Sequence, residues 1–175
     1  MTYQITYFSP EGHIQRIAEE LHRMLPPDTP VEPLKNTSMP EGEVQLVGFE
    51  LNFRDLQKLP LNIVRYLQGM SGKKVYLFAT IPFYIDEVQR SRVHQNVSKA
   101  LPLDCEYLGL YLCSAQPNEM LLEGFRHAAQ RKPESTRVRH WLKRCELAMG
   151  HPNEQDLKNA CGLARHVLKL DTKTK

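Results

Sequence analysis

The sequence has no apolar stretch longer than a strand, no strong imbalance of charge and no paired-cysteine motif. Each absence removes a class of protein. A membrane span needs about 20 apolar residues, so no membrane partner is expected. A net charge of +3 is a small excess for nucleic-acid binding, which also wants more interleaved aromatics; it leaves an acidic partner open. Cys105, Cys113, Cys145 and Cys161 are scattered without a CxxC pair. A chain of 175 residues buries a core without staples, so they are expected as reduced thiols. No basic leader followed by an apolar segment opens the chain, which predicts a cytoplasmic protein. The turn after the first strand carries neither GxGxxG nor GxxxxGK[ST], which argues against a dinucleotide or nucleoside triphosphate site. There is no GxSxG, and Ser9 has no partner base in the sequence. His13, His94, His127, His140, His151 and His166 show no metal-binding spacing, so no metal is expected.

What is present is an alternation of strands and helices, expected to form one domain over residues 1–175. Tyr3, Ile5 and Tyr7 alternate as a strand and lead into Ser9-Pro-Glu-Gly12. Ile14, Ile17, Ala18, Leu21 and Leu25 then recur at helical spacing. In an open α/β sheet such a first turn lies at the carboxyl end of a central strand, where ligands bind. The site is therefore expected around Ser9 to Ile14. Pro26, Pro27 and Pro30 stop the helix. A short edge strand is predicted at Val31 to Leu34, and a strand at Glu43 to Phe49. A helix at about Leu59 to Gln68 follows. Lys74 to Thr80 reads as the clearest buried strand, an almost unbroken apolar run bounded by a turn. A helix at Asp86 to Leu101 and a last strand at Tyr107 to Cys113 follow. This alternation implies a mostly parallel sheet with helices on both faces. The remaining third reads as helices at Met120 to Ala129, at Ser135 to Met149, and after Asn153, a good N-cap followed by acids in the first turn.

The strand before Ser9-Pro-Glu-Gly12, the run Val44 to Glu50 and the run Gly72 to Thr80, taken in this order, resemble the flavodoxin family. Gly150 to Ala160 is similar to a bacterial flavodoxin-like subgroup with a helical C-terminal extension, some members of which accompany reductases. The resemblance implies a flavodoxin-like three-layer sandwich with a five-stranded parallel sheet of order 2-1-3-4-5 and extra C-terminal helices. It implies a core over residues 1–130 and a helical extension over 131–175. It also implies flavin mononucleotide (FMN) at the strand tips, held by three loops. The first is Ser9, Pro10, Glu11, Gly12, His13 and Ile14. The second includes Glu50, Leu51, Asn52 and Phe53, followed by Arg54 and Asp55. The third includes Thr80, Ile81, Pro82, Phe83 and Tyr84. The family's phosphate loop reads Ser/Thr-x-Thr-Gly-x-Thr. This chain matches at Ser9 and Gly12 and departs at Glu11 and Ile14, where hydroxyl residues are expected. A carboxylate about 6 Å from a phosphate costs on the order of 3 kcal/mol at an effective dielectric near 20. If Glu11 faces the phosphate, repulsion wins; if it faces solvent and His13 turns inward as a cation, the loop can hold the anion.

Phe53, Phe83 and Tyr84 are candidates to flank a flavin ring or to fold back onto the core. Arg54 is a candidate to attract the phosphate or to be a solvated loop charge. Cys113, ending the last strand, lies at the expected rim, although strand thiols usually act as small buried hydrophobes. Arg131, Lys132, Arg137, Arg139, Lys143 and Arg144 form a basic segment around Trp141, read as a solvated helix face, as a dock for an acidic partner or as a contact for an anionic ligand arriving over the sheet. Three functions follow from the resemblance. The first is an FMN-binding electron-transfer protein, monomer or homodimer, exchanging electrons with a partner reductase. The second is a flavodoxin fold that has lost FMN and serves as a binding or scaffold module, which Glu11 and Ile14 favour. The third is an FMN-dependent reductase of a small substrate.

Overall fold

A computed structural model describes residues 1–53 and 58–170. Five strands run parallel in the order β2-β1-β3-β4-β5, the expected order. They are β1 (Tyr3–Phe8), β2 (Val31–Pro33), β3 (Val44–Glu50), β4 (Lys74–Ile81) and β5 (Glu106–Ser114). Every residue of β3, and every residue of β4 after Lys74, is buried. That explains their near-continuous apolar runs: helices cover both faces of a parallel sheet, so neither set of alternate side chains meets water. Ile5 pairs with Leu46 and Leu46 with Tyr76, so these side chains form one row on one face.

That face is covered by α1 (His13–His22) and α6 (Glu154–Leu168). Ile14, Ile17, Ala18 and Leu21 of α1, with Ala160 and Ala164 of α6, close over Ile5, Leu46, Tyr76 and Phe78. Gly48 is forced here by packing. A Cβ there would lie 2.5 Å from Phe78 Cζ and 2.6 Å from Ile14 Cγ2, inside van der Waals contact. The opposite face carries α2 (Leu61–Gln68) and α3 (Glu87–Ala100), with Ile63, Leu67, Val93 and Val97 packed on Val47, Val75 and Leu77.

The boundary expected at residue 130 falls inside a helix. It cuts α4 (Glu119–Arg131) one residue before its end, and α4 packs directly against α5 (Thr136–Leu147) as a helical hairpin. α6 supplies core residues against α1 and β5. The α4–α5 hairpin lies in the chain between β5 and the helix that completes the α1 face. Its caps follow from sequence: the Asn118 side chain accepts from the Leu121 N–H, and Ser135 accepts from Val138. Among the described residues no helix is long and apolar enough to cross a membrane.

Candidate functional site

The loop from β1 into α1 turns on Gly12, whose φ of 84° is a left-handed conformation that suits glycine. The turn aims the N–H groups of residues 11, 13 and 14 at one point. The register of β1 against β3 pairs Phe8 with Phe49, so the next residue of β3, Glu50, emerges beside Ser9. Its carboxylate fills that point. Glu50 Oε1 accepts from Ser9 Oγ (2.7 Å), from the His13 N–H (2.9 Å) and from the Ile14 N–H (3.3 Å). Oε2 accepts from the Glu11 N–H at 2.8 Å. Ser9 Oγ in turn accepts from the N–H groups of Ile14 (3.0 Å) and Gln15 (3.1 Å). A helix N-terminus favours an anion through its free N–H groups and its dipole. Here the chain provides that anion itself.

Glu11 is exposed, as in the second orientation weighed from the sequence, but His13 does not turn into the anion turn. Glu11 points away from the turn and accepts from Asn118 Nδ2 at 3.1 Å. The His13 ring reaches across to the Gln116 carbonyl, with Nε2 3.1 Å from that oxygen. Both side chains tie the first loop to the segment that starts the hairpin, so their job in the fold is to seat α4. Ile14 is fully buried under the sheet, packed in the α1 core.

A cavity of about 830 Å³ opens beside Glu50 at the carboxyl ends of the strands. Of the fifteen residues expected to form the site, nine line it: Pro10, Glu11, His13, Glu50, Leu51, Asn52, Phe53, Thr80 and Pro82. Ser9, Gly12 and Ile14 build the turn beneath instead. Ile81 and Phe83 are core residues, 1% and 0% exposed. Phe83 is sealed by Trp141 in an edge-to-face contact of 5.2 Å and by the Arg144 guanidinium 5.0 Å above its ring. Tyr84 is 53% exposed and does not line the cavity. Of the aromatics proposed to flank a ring, Phe53 alone faces the cavity. It is held edge-on by Phe83, Phe125 and Trp141, with centroids 5.0–5.9 Å apart. Arg54 and Asp55 lie outside the described residues.

The opposite wall comes from residues that sequence reasoning did not place here. Ala115, Gln116 and Asn118 follow β5, and Met120, Leu121, Phe125 and Val138 belong to the hairpin. The polar Ser-Ala-Gln-Pro-Asn run after the last strand was the available signal, since loops at strand carboxyl ends carry sites. The hairpin is fixed by Arg144. Its side chain is 8% exposed and donates to the Tyr84 carbonyl from Nε (2.7 Å) and from a terminal nitrogen. It also donates to Asp86 Oδ2 (3.2 Å) and to Gln89 Oε1, the two capping-box residues of α3. None of the readings of the basic segment describes Arg144, which is an internal clamp. Arg131, Lys132, Arg137, Arg139 and Lys143 are exposed.

Cys113 is not at the rim. It is 5% exposed on the α1 face, and burial pushes its thiol up to about 12, with the Asp156 carboxylate adding to the shift. Burial likewise raises Cys145 to about 11. Neither thiol has the lowered pKa of a reactive cysteine. Among the described residues no cluster of three or more His, Cys, Asp or Glu is arranged to hold a metal ion.

The residues fit FMN at one end and not at the other. The cavity has the volume and apolar lining of small-molecule sites. The phosphate cradle is taken. Two anions about 4 Å apart repel by about 4 kcal/mol at an effective dielectric near 20, and a phosphate would need the very N–H groups that Glu50 holds.

Comparison with known proteins agrees with the fold. Over 107 residues the chain is 23% identical to BilS, a flavodoxin-like domain-containing protein of Clostridioides difficile; the match spans 61% of this chain and 61% of that protein. The flavodoxin of Streptococcus pneumoniae TIGR4 superposes with a TM-score of 0.57 at 11% identity, covering 97% of this chain and 99% of its own. Oxidised flavodoxin 2 from Bacillus cereus gives 0.54 at 12% identity, over 97% and 99%. The profile of the flavodoxin domain matches residues 4–165, nearly the whole chain, and the chain belongs to the flavodoxin domain family.

Proposed function

We propose that the chain is a flavodoxin-type flavoprotein, holding a flavin ring above the strand tips and exchanging electrons with a partner reductase. The observation that carries this reading is the cavity itself. It lies at the topological switch point between β1 and β3, it is large enough for a three-ring system, and apolar side chains line most of it. A bound flavin supplies the one- and two-electron chemistry, which is the cofactor's own. The chain's residues do the rest. Leu51, Phe53, Leu121, Phe125 and Val138 exclude water from the site, and the edge-on packing of Phe53 fixes the shape of that wall. Asn52, Gln116 and Asn118 add amide groups that suit the polar edge of a ring. Exposed Arg137, Arg139 and Lys143 on α5 suit a partner with an acidic face, with steering that weakens as salt rises.

Absorbance of the purified protein, followed by fluorescence titration with riboflavin and with FMN, tests the reading. Flavin bands, or quenching by either flavin in the micromolar range, are expected, with reduction of the bound flavin once a reductase and its nicotinamide donor are added. A colourless protein that quenches neither flavin at high micromolar concentration would refute it. The occupied anion turn favours a second reading, a flavodoxin fold that has given up its cofactor and serves as a binding module, and that outcome would leave it standing.

A further inference from the structure

We infer that Glu50 is a built-in substitute for a ligand phosphate, so that the cavity beside it takes a flavin ring without a phosphate, riboflavin rather than FMN. The inference rests on the flavin-binding reading above and adds which flavin the site selects. Three observations carry it. First, the donors are spent. The N–H groups of residues 11, 13 and 14 and the hydroxyl of Ser9 all end on the Glu50 carboxylate. The Ser9 oxygen already accepts two further N–H groups, and the buried Ile14 offers no second hydroxyl. Second, the described part of the lining holds nothing to balance another anion. Among the described residues that line the cavity there is no lysine or arginine, and there are two carboxylates, Glu11 and Glu50. The one ring that could carry positive charge, His13, is directed at the Gln116 carbonyl. Third, Glu50 is set by strand pairing rather than by a loop. It is the last residue of β3, in register with Thr80 of β4, and is 9% exposed, so backing out of the turn would strand three N–H groups.

What this end of the cavity offers instead is acceptors. Among the described residues Glu50 Oε2 accepts from the Glu11 N–H alone, and a carboxylate oxygen has room for two donors. A polyol chain donates hydroxyl hydrogens to such oxygens, whereas a phosphate can only compete with them for donors. The chemistry at the rim therefore matches a sugar alcohol and opposes its phosphate ester.

Parallel titrations of wild-type protein and Glu50→Ala with riboflavin and FMN, together with thermal shifts in inorganic phosphate, test this. Wild-type protein is expected to bind riboflavin at least as tightly as FMN. Glu50→Ala is expected to gain at least about tenfold in FMN affinity and to lose riboflavin affinity, since the acceptor for its polyol chain is gone. Millimolar phosphate should raise the melting temperature of Glu50→Ala and leave wild type unmoved. Wild-type protein binding FMN about tenfold tighter than riboflavin would overturn the inference. Should neither flavin bind either protein, the flavin reading fails, and riboflavin selection with it. The phosphate arm then judges Glu50 alone: a response confined to the variant keeps it as a phosphate substitute, and equal responses remove it. If Glu50→Ala does not fold, Glu50→Gln, which keeps an acceptor oxygen and loses the charge, is used in its place, and the wild-type preference still decides.

Discussion

Removing the Arg144 guanidinium should undock the α4–α5 hairpin from the sheet, and the cost can be worked from its contacts. The group is buried, and its donors satisfy the Tyr84 carbonyl and the side chain of Gln89. Hydrogen bonds from a charged donor contribute about 1.5–3 kcal/mol each when lost. The guanidinium also sits 5.0 Å from the ring centres of Phe83 and Trp141, where a cation–π contact adds roughly 0.5–2 kcal/mol. Its ion pair with Asp86 adds little, since that carboxylate is half exposed, at 50%. Allowing for relaxation and non-additivity, Arg144→Ala should cost about 3–5 kcal/mol. At roughly 2–4 °C per kcal/mol for a chain of this size, the melting temperature should fall by about 6–20 °C. Circular dichroism melts supply the number, and limited proteolysis between α4 and α5 reports the undocking. Arg144→Met keeps most of the stem's packing without the donors and should lose nearly as much as alanine, while Arg144→Lys, a point charge without the planar fork, should recover less than half. A loss under about 1 kcal/mol for Arg144→Ala, or a methionine variant as stable as wild type, would refute the account.

Gly48→Ala should destabilise the protein by about 2–3 kcal/mol in denaturant unfolding, because the added methyl meets the buried Phe78 ring and Ile14; an unchanged midpoint would contradict that packing. Burial pushes the Cys113 thiol up to about 12, so very little of it is thiolate at about pH 8. Iodoacetamide should therefore spare it in the native protein and label it in urea, and equal labelling would show that the strand end is open. Glu11→Thr should raise FMN affinity less than Glu50→Ala does, because Glu11 is turned toward Asn118; the opposite ranking by fluorescence titration would mean that Glu11 is the blocking charge.

The sheet was legible because its signals are local and strong. Val44 to Glu50 and Lys74 to Ile81 are mostly apolar, as strands buried on both faces tend to be, and each strand end fell within a residue of expectation. The helices after β5 were also visible as helices, but periodicity says which face is apolar and not what it packs on. Ala160 and Ala164 carry no more signal than Leu122 or Phe125. Yet the first pair lies under α1 and the second beneath the strand tips. Arg144 shows the same limit from the polar side: five exposed cations surround it in sequence, and only its tertiary partners mark it as internal.

The site was half legible for a related reason. Glu50 was named as part of a flavin-contacting loop, and Ser9 and Gly12 as the phosphate turn, but the contact between them depends on the strand order 2-1-3. Only when β3 lies beside β1 does the residue after Phe49 stand next to the residue after Phe8. Given that neighbour, the departures in the first loop become consistent with one another. A turn already filled by a carboxylate has no use for two more hydroxyls, so an apolar Ile14 can join the core. Glu11 and His13, freed from facing an anion, are available to hold the Asn118 and Gln116 segment that begins the hairpin. The filled anion turn and the seating of the α4–α5 wall are thus parts of one connected arrangement at the strand tips.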